Sequence, residues 1–265
     1  SDLTRPQKLC LFHFLVIEGD EKYKDELPLV QAGLDVKWTD DMTPYRTRKV
    51  RILNGAHTMT VLAAWLYGLE TVKDCMDDEL VSSYIKKGIY EEIIPTLDLP
   101  AEELSFFGNA VLERFSNPFI KHFLLSISLN SVSKFKTRVP PSLLEYTKRK
   151  GELPKLLTFS LSALVLFYKG LNRLEKSMSA VRAVDGKDYE INDSPEVLDF
   201  FIQLWSEAKD SSGLDYENMM EKVLSKTEYW GMNLNEIPGL ARLSAEYLNR
   251  MDSEGVASVI SSICR

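Results

Sequence analysis

Residues 156–168 set the first limit on what this chain can become. The run is apolar apart from Thr158, Ser160 and Ser162, and it lies between Pro154 and Gly170. A helix of that length measures about 20 Å, short of the roughly 30 Å that a bilayer core demands. The run therefore predicts a buried core helix rather than a membrane span. A helical period, often with proline near the start and glycine near the end, recurs along most of the chain. It predicts helices over residues 4–18, 45–66, 78–94, 100–115, 118–128, 140–150, 195–205, 216–225 and 238–251, with a short one after Asp252. Leu34-Asp35-Val36-Lys37-Trp38 alternates briefly and is expected to be extended. Residues 171–194 lose the period, and Asp185-Gly186 and Asn192-Asp193 are turn signals. That stretch predicts a long connection holding a hairpin near Asp185-Gly186.

The expected fold class is therefore all-α, and multi-helical. The strands of a doubly wound sheet are missing from the pattern, and no glycines have the G-x-G-x-x-G spacing that seats a dinucleotide. A chain of 265 residues, 45% hydrophobic, is long enough for one large domain or two small ones. Its net charge of −7 argues against nucleic acid or an anionic membrane as the default partner. Cys10, Cys75 and Cys264 are isolated, form no metal-ligand spacing and fit reduced thiols. No metal is expected. The first residues show no signal-peptide pattern, and the expected location is the cytoplasm.

Chemistry concentrates in Asp41-Met-Thr-Pro-Tyr-Arg-Thr-Arg-Lys49-Val-Arg-Ile-Leu-Asn54-Gly-Ala-His57. On a helix advancing about 100° per residue, Lys49 lies at 0°, His57 near 80° and Asn54 near 140°. An amine, an amide and an imidazole on one face can move a proton to or from an alcohol oxygen. The lysine must have its pKa lowered by burial or by a cation such as Arg46, Arg48 or Arg51. Hydride transfer is beyond any side chain and calls for a nicotinamide or flavin. The plainer reading, three polar residues on an amphipathic helix, fits the spacing alone at least as well. Asn54-Gly55 tips the balance, because neither residue favours a helix interior.

The run D-x-x-P-Y-x-x-x-K-x-R-x-L-N-x-x-H resembles the signature of the mannitol dehydrogenase family of polyol-specific long-chain dehydrogenases. Asp41, Pro44, Tyr45, Lys49, Arg51, Leu53, Asn54 and His57 match it position by position. The resemblance implies that Lys49 is the general base and that Asn54 and His57 position the reacting oxygen. Residues 89–100, 114–122, 134–138 and 157–168 look like the tagaturonate reductase (altronate oxidoreductase) branch. Fructuronate reductase or another polyol dehydrogenase is the alternative, and a non-catalytic helical interaction module is the alternative of another class. The resemblance covers the family's C-terminal half alone, a helical substrate domain similar to the C-terminal domain of 6-phosphogluconate dehydrogenase. It implies one such domain over residues 1–265, NAD as cofactor, a hexuronate or polyol substrate, and an N-terminal nucleotide-binding domain outside this chain. The fragment by itself is expected to be inactive.

Other candidates follow from the same stretches. Lys134 and Arg138, in Lys134-Phe-Lys136-Thr-Arg138, are expected on a loop before Pro140-Pro141, where a basic side chain pairs with a uronate carboxylate. The family resemblance favours Lys134, with Arg138 second; a solvated basic loop is the plainer reading. Arg114 is a candidate for the pocket wall, and Asn117 for the cap of a helix opening at Pro118. His122, among Phe119, Ile120, Phe123 and Leu124, reads as structural, as does His13. Glu91-Glu92 reads as a solvated face, and the four tryptophans as core or interface.

Overall fold

The computed structural model describes residues 14–24, 26, 28–173, 178–210 and 213–265. The chain divides into two compact units, residues 1–49 and 50–265. The first unit holds a parallel strand pair, β1 (Phe14–Glu18) and β2 (Asp35–Thr39), in register from Phe14↔Asp35 to Glu18↔Thr39. It ends in α1 (Thr43–Arg48). The extended reading of the stretch around Val36 holds. The helical reading of residues 4–18 fails at its end, where Phe-Leu-Val-Ile-Glu pairs as a strand. Here β-branched and aromatic residues meeting a partner strand outweigh a helical apolar period. The rest of that expected helix, with Cys10 and His13, lies outside the described residues.

The second unit is built of helices with short strands. Its helices are α2 (Gly55–Tyr67), α3 (Val72–Asp77), α4 (Glu79–Lys87), α5 (Ala101–Phe115), α6 (Leu124–Ile127), α7 (Ser131–Arg138), α8 (Pro140–Lys150) and α9 (Lys155–Phe167). After β3 (Asn172–Arg173), β4 (Met178–Val181) and β5 (Asp188–Ile191) come α10 (Pro195–Glu207) and the strand pair β6 (Lys209–Asp210) and β7 (Gly213–Leu214). The chain closes with α11 (Tyr216–Leu224), α12 (Thr227–Trp230), α13 (Leu240–Glu254) and α14 (Val256–Ile263).

As the composition of residues 156–168 predicts, α9 is the core helix: every residue from Leu156 to Phe167 is buried, between α2 and α13. Its N-terminus is satisfied from afar. Pro154 cannot cap it, and the Glu92 carboxylate instead accepts the Leu156 and Leu157 N–H groups at 2.9 and 2.8 Å. Glu92 is 5% exposed, so the solvated-face reading of this residue is corrected. Burial pushes its pKa up to about 7, against the pull of those N–H donors.

Two other departures bear on the site. Residues 118–128 were expected to be one helix, but only α6 forms within them. The Asn117 side chain accepts the Phe119 N–H at 2.9 Å in a local turn, and the following backbone pairs with residues 70–72 instead. The Lys134–Arg138 cluster was expected on a loop, yet it lies on α7. The hairpin near Asp185-Gly186 is present, with Met178↔Ile191 to Val181↔Asp188 in antiparallel register.

Candidate active site

The motif begins with its own start signal. The Asp41 carboxylate accepts the Thr43 N–H at 2.8 Å, and Pro44 sits in the first turn of α1, where its missing N–H costs nothing. From α1 the chain continues into a π-helical turn, Lys49–Asn54, and then into α2. Such turns are rare, and they concentrate at functional sites. α2 stops at Gly68, whose φ of 120° is open to glycine and closed to most side chains. Gly55 has a different reason to be glycine. A Cβ there would stand 3.3 Å from the Arg138 carbonyl oxygen, so its absence lets the end of α7 approach α2.

Three motif residues differ sharply in their surroundings. Lys49 is exposed and closes the first unit, while Asn54 and His57 belong to the second. Asn54 is half-buried, and its amide makes no hydrogen bond to another described residue. The His57 ring stacks on Phe115 at 4.2 Å between centroids and meets the His122 ring at 6.3 Å, tilted by 63°. Its Nε2 is buried without a hydrogen-bond partner, which is uncommon and calls for an explanation. Burial depresses its pKa to about 3, helped by the positive charges of His122, Arg114 and Arg138. The imidazole is therefore neutral near pH 7, with one nitrogen able to donate and the other to accept. Arg51 is engaged elsewhere in the second unit, where its Nη1 donates to Ser142 Oγ at 2.8 Å.

The basic candidates separate as well. Arg138 Nη1 donates to Thr58 Oγ1 at 3.1 Å, so α7 delivers this guanidinium to the helix that carries His57. Lys134 Nζ donates to the Ile127 carbonyl at 2.8 Å. Burial and Arg138 lower the Lys134 pKa while Asp193 opposes them. Asp193 in turn accepts the Tyr168 hydroxyl at 2.6 Å. Arg114, exposed in the last turn of α5, is close enough for its charge to act on His57. Phe115 and Thr58 carry no signal in the sequence pattern, and His122 has the surroundings of a structural residue there. The Arg114-Phe-Ser-Asn-Pro-Phe-Ile-Lys-His122 stretch was the available signal, but its contact with His57 spans a separation that periodicity does not report.

Among the described residues no group of three or more His, Cys, Asp or Glu side chains is placed to hold a metal ion, and no helix is long and apolar enough to cross a membrane. The turn from β2 into α1, residues 40–42, carries two carboxylates and no glycine, the reverse of what a pyrophosphate needs.

A half-buried asparagine, a histidine with a buried, unpartnered nitrogen and two nearby arginines are thus carried on a helical scaffold. The chain belongs to the mannitol dehydrogenase family: the model of that family's C-terminal domain matches residues 41–252. It is similar to the altronate oxidoreductase of Pectobacterium carotovorum subsp. carotovorum (strain PC1), 42% identical over 253 residues, which cover 96% of this chain and 50% of that protein. The altronate oxidoreductase of Escherichia coli O139:H28 (strain E24377A / ETEC) is 40% identical over the same shares. The chain thus spans about half the length of the curated relatives it matches. Its fold is that of the Pseudomonas fluorescens mannitol 2-dehydrogenase, solved as a ternary complex with NAD and D-mannitol, with a TM-score of 0.72 at 23% identity over 88% of this chain and 43% of that one. A D-sorbitol dehydrogenase in substrate-free form matches with a TM-score of 0.66 at the same identity and the same coverage of each chain.

Proposed function

We propose that this chain is the substrate-binding, base-supplying half of a cytoplasmic NAD-dependent hexuronate reductase that interconverts tagaturonate and altronate. The observation that carries the reading is the Lys49, Asn54 and His57 motif, with an orphaned, neutral His57 set among cationic side chains. In the oxidative direction the Lys49 amine takes the hydroxyl proton, and in the reductive direction the oxygen that becomes the alcohol takes it back. The Asn54 amide donates to the oxygen as negative charge develops on it. His57 contributes a hydrogen bond, not a charge, because its ring is neutral near pH 7. Arg114 and Arg138 favour both the alkoxide and a substrate carboxylate.

The helix geometry supports the grouping. The hydrogen-bond interval of a π turn is five residues, and Lys49 and Asn54 are separated by that interval. In an α-helix residues three apart are neighbours, and Asn54 to His57 is that interval.

NAD would supply the hydride exchange when bound, seated in the nucleotide-binding half of the enzyme; the acidic, glycine-free turn at residues 40–42 supports that reading. The test joins the chain to that half and follows NADH oxidation with tagaturonate and with fructuronate. Tagaturonate is the expected substrate. A clear preference for fructuronate replaces this substrate assignment, and equal, full activity of Lys49→Ala sinks the mechanism.

A further inference from the structure

We infer that His122 reads the carboxylate of the acidic sugar, at the opposite end of the site from the carbon that reacts; this rests on the function proposed above. Its neighbours do not make it a packed core histidine. Phe119 is 89% exposed, and Ile120 and Phe123 are also exposed. The ring instead turns its edge toward His57, with 6.3 Å between centroids, and it makes no hydrogen bond to another described residue.

Its position is nonetheless fixed. The His122 carbonyl accepts the Val72 N–H at 3.0 Å, the Glu70 carbonyl accepts the Leu124 N–H at 2.9 Å, and Thr71 and Phe123 form an antiparallel bridge. The Glu70 carboxylate at the end of that ladder is held by Arg182 at 3.0 Å and Lys187 at 2.8 Å. The hairpin of β4 and β5 therefore anchors the strip that carries the imidazole. A ring held by its backbone with free nitrogens is a ready-made hydrogen-bonding group, because little conformational entropy is lost on binding.

Charge decides what it binds. Arg114 and Arg138, whose charges act on His57, are both positive, and no carboxylate acts on it. A neutral polyol gains little from that field, whereas a carboxylate gains directly. Length agrees. A six-carbon acid extends about 6 Å from its carboxyl carbon to its far end, given C–C bonds near 1.5 Å. A ligand with one oxygen on His57 thus brings its carboxylate to the neighbourhood of His122. Arg114, on a long exposed side chain, strengthens the field without fixing the geometry.

The chain has three histidines, so the imidazole signals can be followed one by one in ¹H–¹⁵N spectra. The protein is titrated with sodium D-altronate and, separately, with the neutral alcohol D-altritol. Both ligands are expected to move the His57 signals, and only altronate to move those of His122. His122→Asn is expected to weaken altronate binding at least about tenfold, the size of one charge-assisted hydrogen bond, and to leave altritol binding unchanged. His122→Gln, whose amide donor reaches further than that of asparagine, restores part of the loss. A preference for altronate that survives in His122→Asn, or His122 signals that move equally with both ligands, overturns the inference and leaves the proposed function standing. If neither ligand moves His57, the proposed function fails and this inference fails with it. Unchanged His57 signals and unfolding temperature in the unliganded variant exclude a folding defect.

Discussion

Two buried groups in the second unit give opposite answers to acid, and together they make a stability profile that one substitution should expose. His57 holds a pKa of about 3 against an ordinary 6.5, because burial and its cationic neighbours disfavour the imidazolium. Between those values the unfolded chain carries a proton that the native chain refuses, so stability rises with pH. That contribution is complete above pH 6.5 and is lost as the pH falls toward 3. Glu92 holds a pKa of about 7 against an ordinary 4.5, because burial disfavours its carboxylate. Between those values the native chain keeps a proton that the unfolded chain has released, so stability falls as pH rises. That contribution is complete below pH 4.5 and is lost as the pH rises through 7.

The windows overlap from pH 4.5 to 6.5, where each group contributes a slope of about 1.4 kcal/mol per pH unit and the two cancel. His57→Asn removes one slope, so its stability should fall by about 3 kcal/mol, to order of magnitude, as pH rises through that window. Glu92→Gln should show a rise of similar size. The assay is urea unfolding at half-unit pH steps, followed by the fluorescence of the four tryptophans. The slope relative to the parent is diagnostic, since either substitution also shifts the intercept. A His57→Asn profile parallel to the parent's refutes the claim that His57 is held neutral.

Arg182 is 2% exposed, stacks 4.2 Å over Trp65, and donates to the Trp65 and Leu69 carbonyls as well as to Glu70 and Asp185. Arg182→Met should therefore cost about 3 kcal/mol in denaturant unfolding, and a loss below about 1 kcal/mol means that the clamp is not structural. Phe119, Ile120 and Phe123 expose a run of apolar surface, so the isolated chain should self-associate at high concentration. Phe119→Ser should reduce the associated fraction in sedimentation velocity; an unchanged fraction contradicts the role of this patch.

Much of the helical scaffold was legible because α2, α5, α8, α9, α10 and α13 each have a strong apolar period with a proline or glycine near a boundary. The exceptions have identifiable causes. α7 was missed because Val132 and Phe135 are its only large apolar residues among serines, lysines, threonine and arginine, a composition that also suits a loop. Residues 118–123 were misread because Pro118 and the apolar residues after it imitate a helix start, while their real partner is the strip at 70–72. The π turn escaped because the pattern hardly distinguishes five-residue from four-residue spacing over six residues. The motif residues stood out by resemblance, since their spacing alone suits an ordinary amphipathic helix at least as well. The Phe115 and His122 contacts with His57 did not, and neither did the choice of Arg138 over Lys134 as the cation brought to Thr58. Those depend on which helices pack together, as does the burial of Glu92 against a helix whose N–H groups lie 64 residues further on.

The central claim is that Lys49 moves the proton in an alcohol–ketone interconversion. The most direct measurement is the turnover of tagaturonate by the chain joined to its nucleotide-binding half, with Lys49 and with Lys49→Ala, across pH. The account predicts that the substitution lowers kcat by about 10²- to 10⁴-fold, with substrate binding largely kept. A Lys49→Ala enzyme that retains the parent's kcat and pH profile contradicts it.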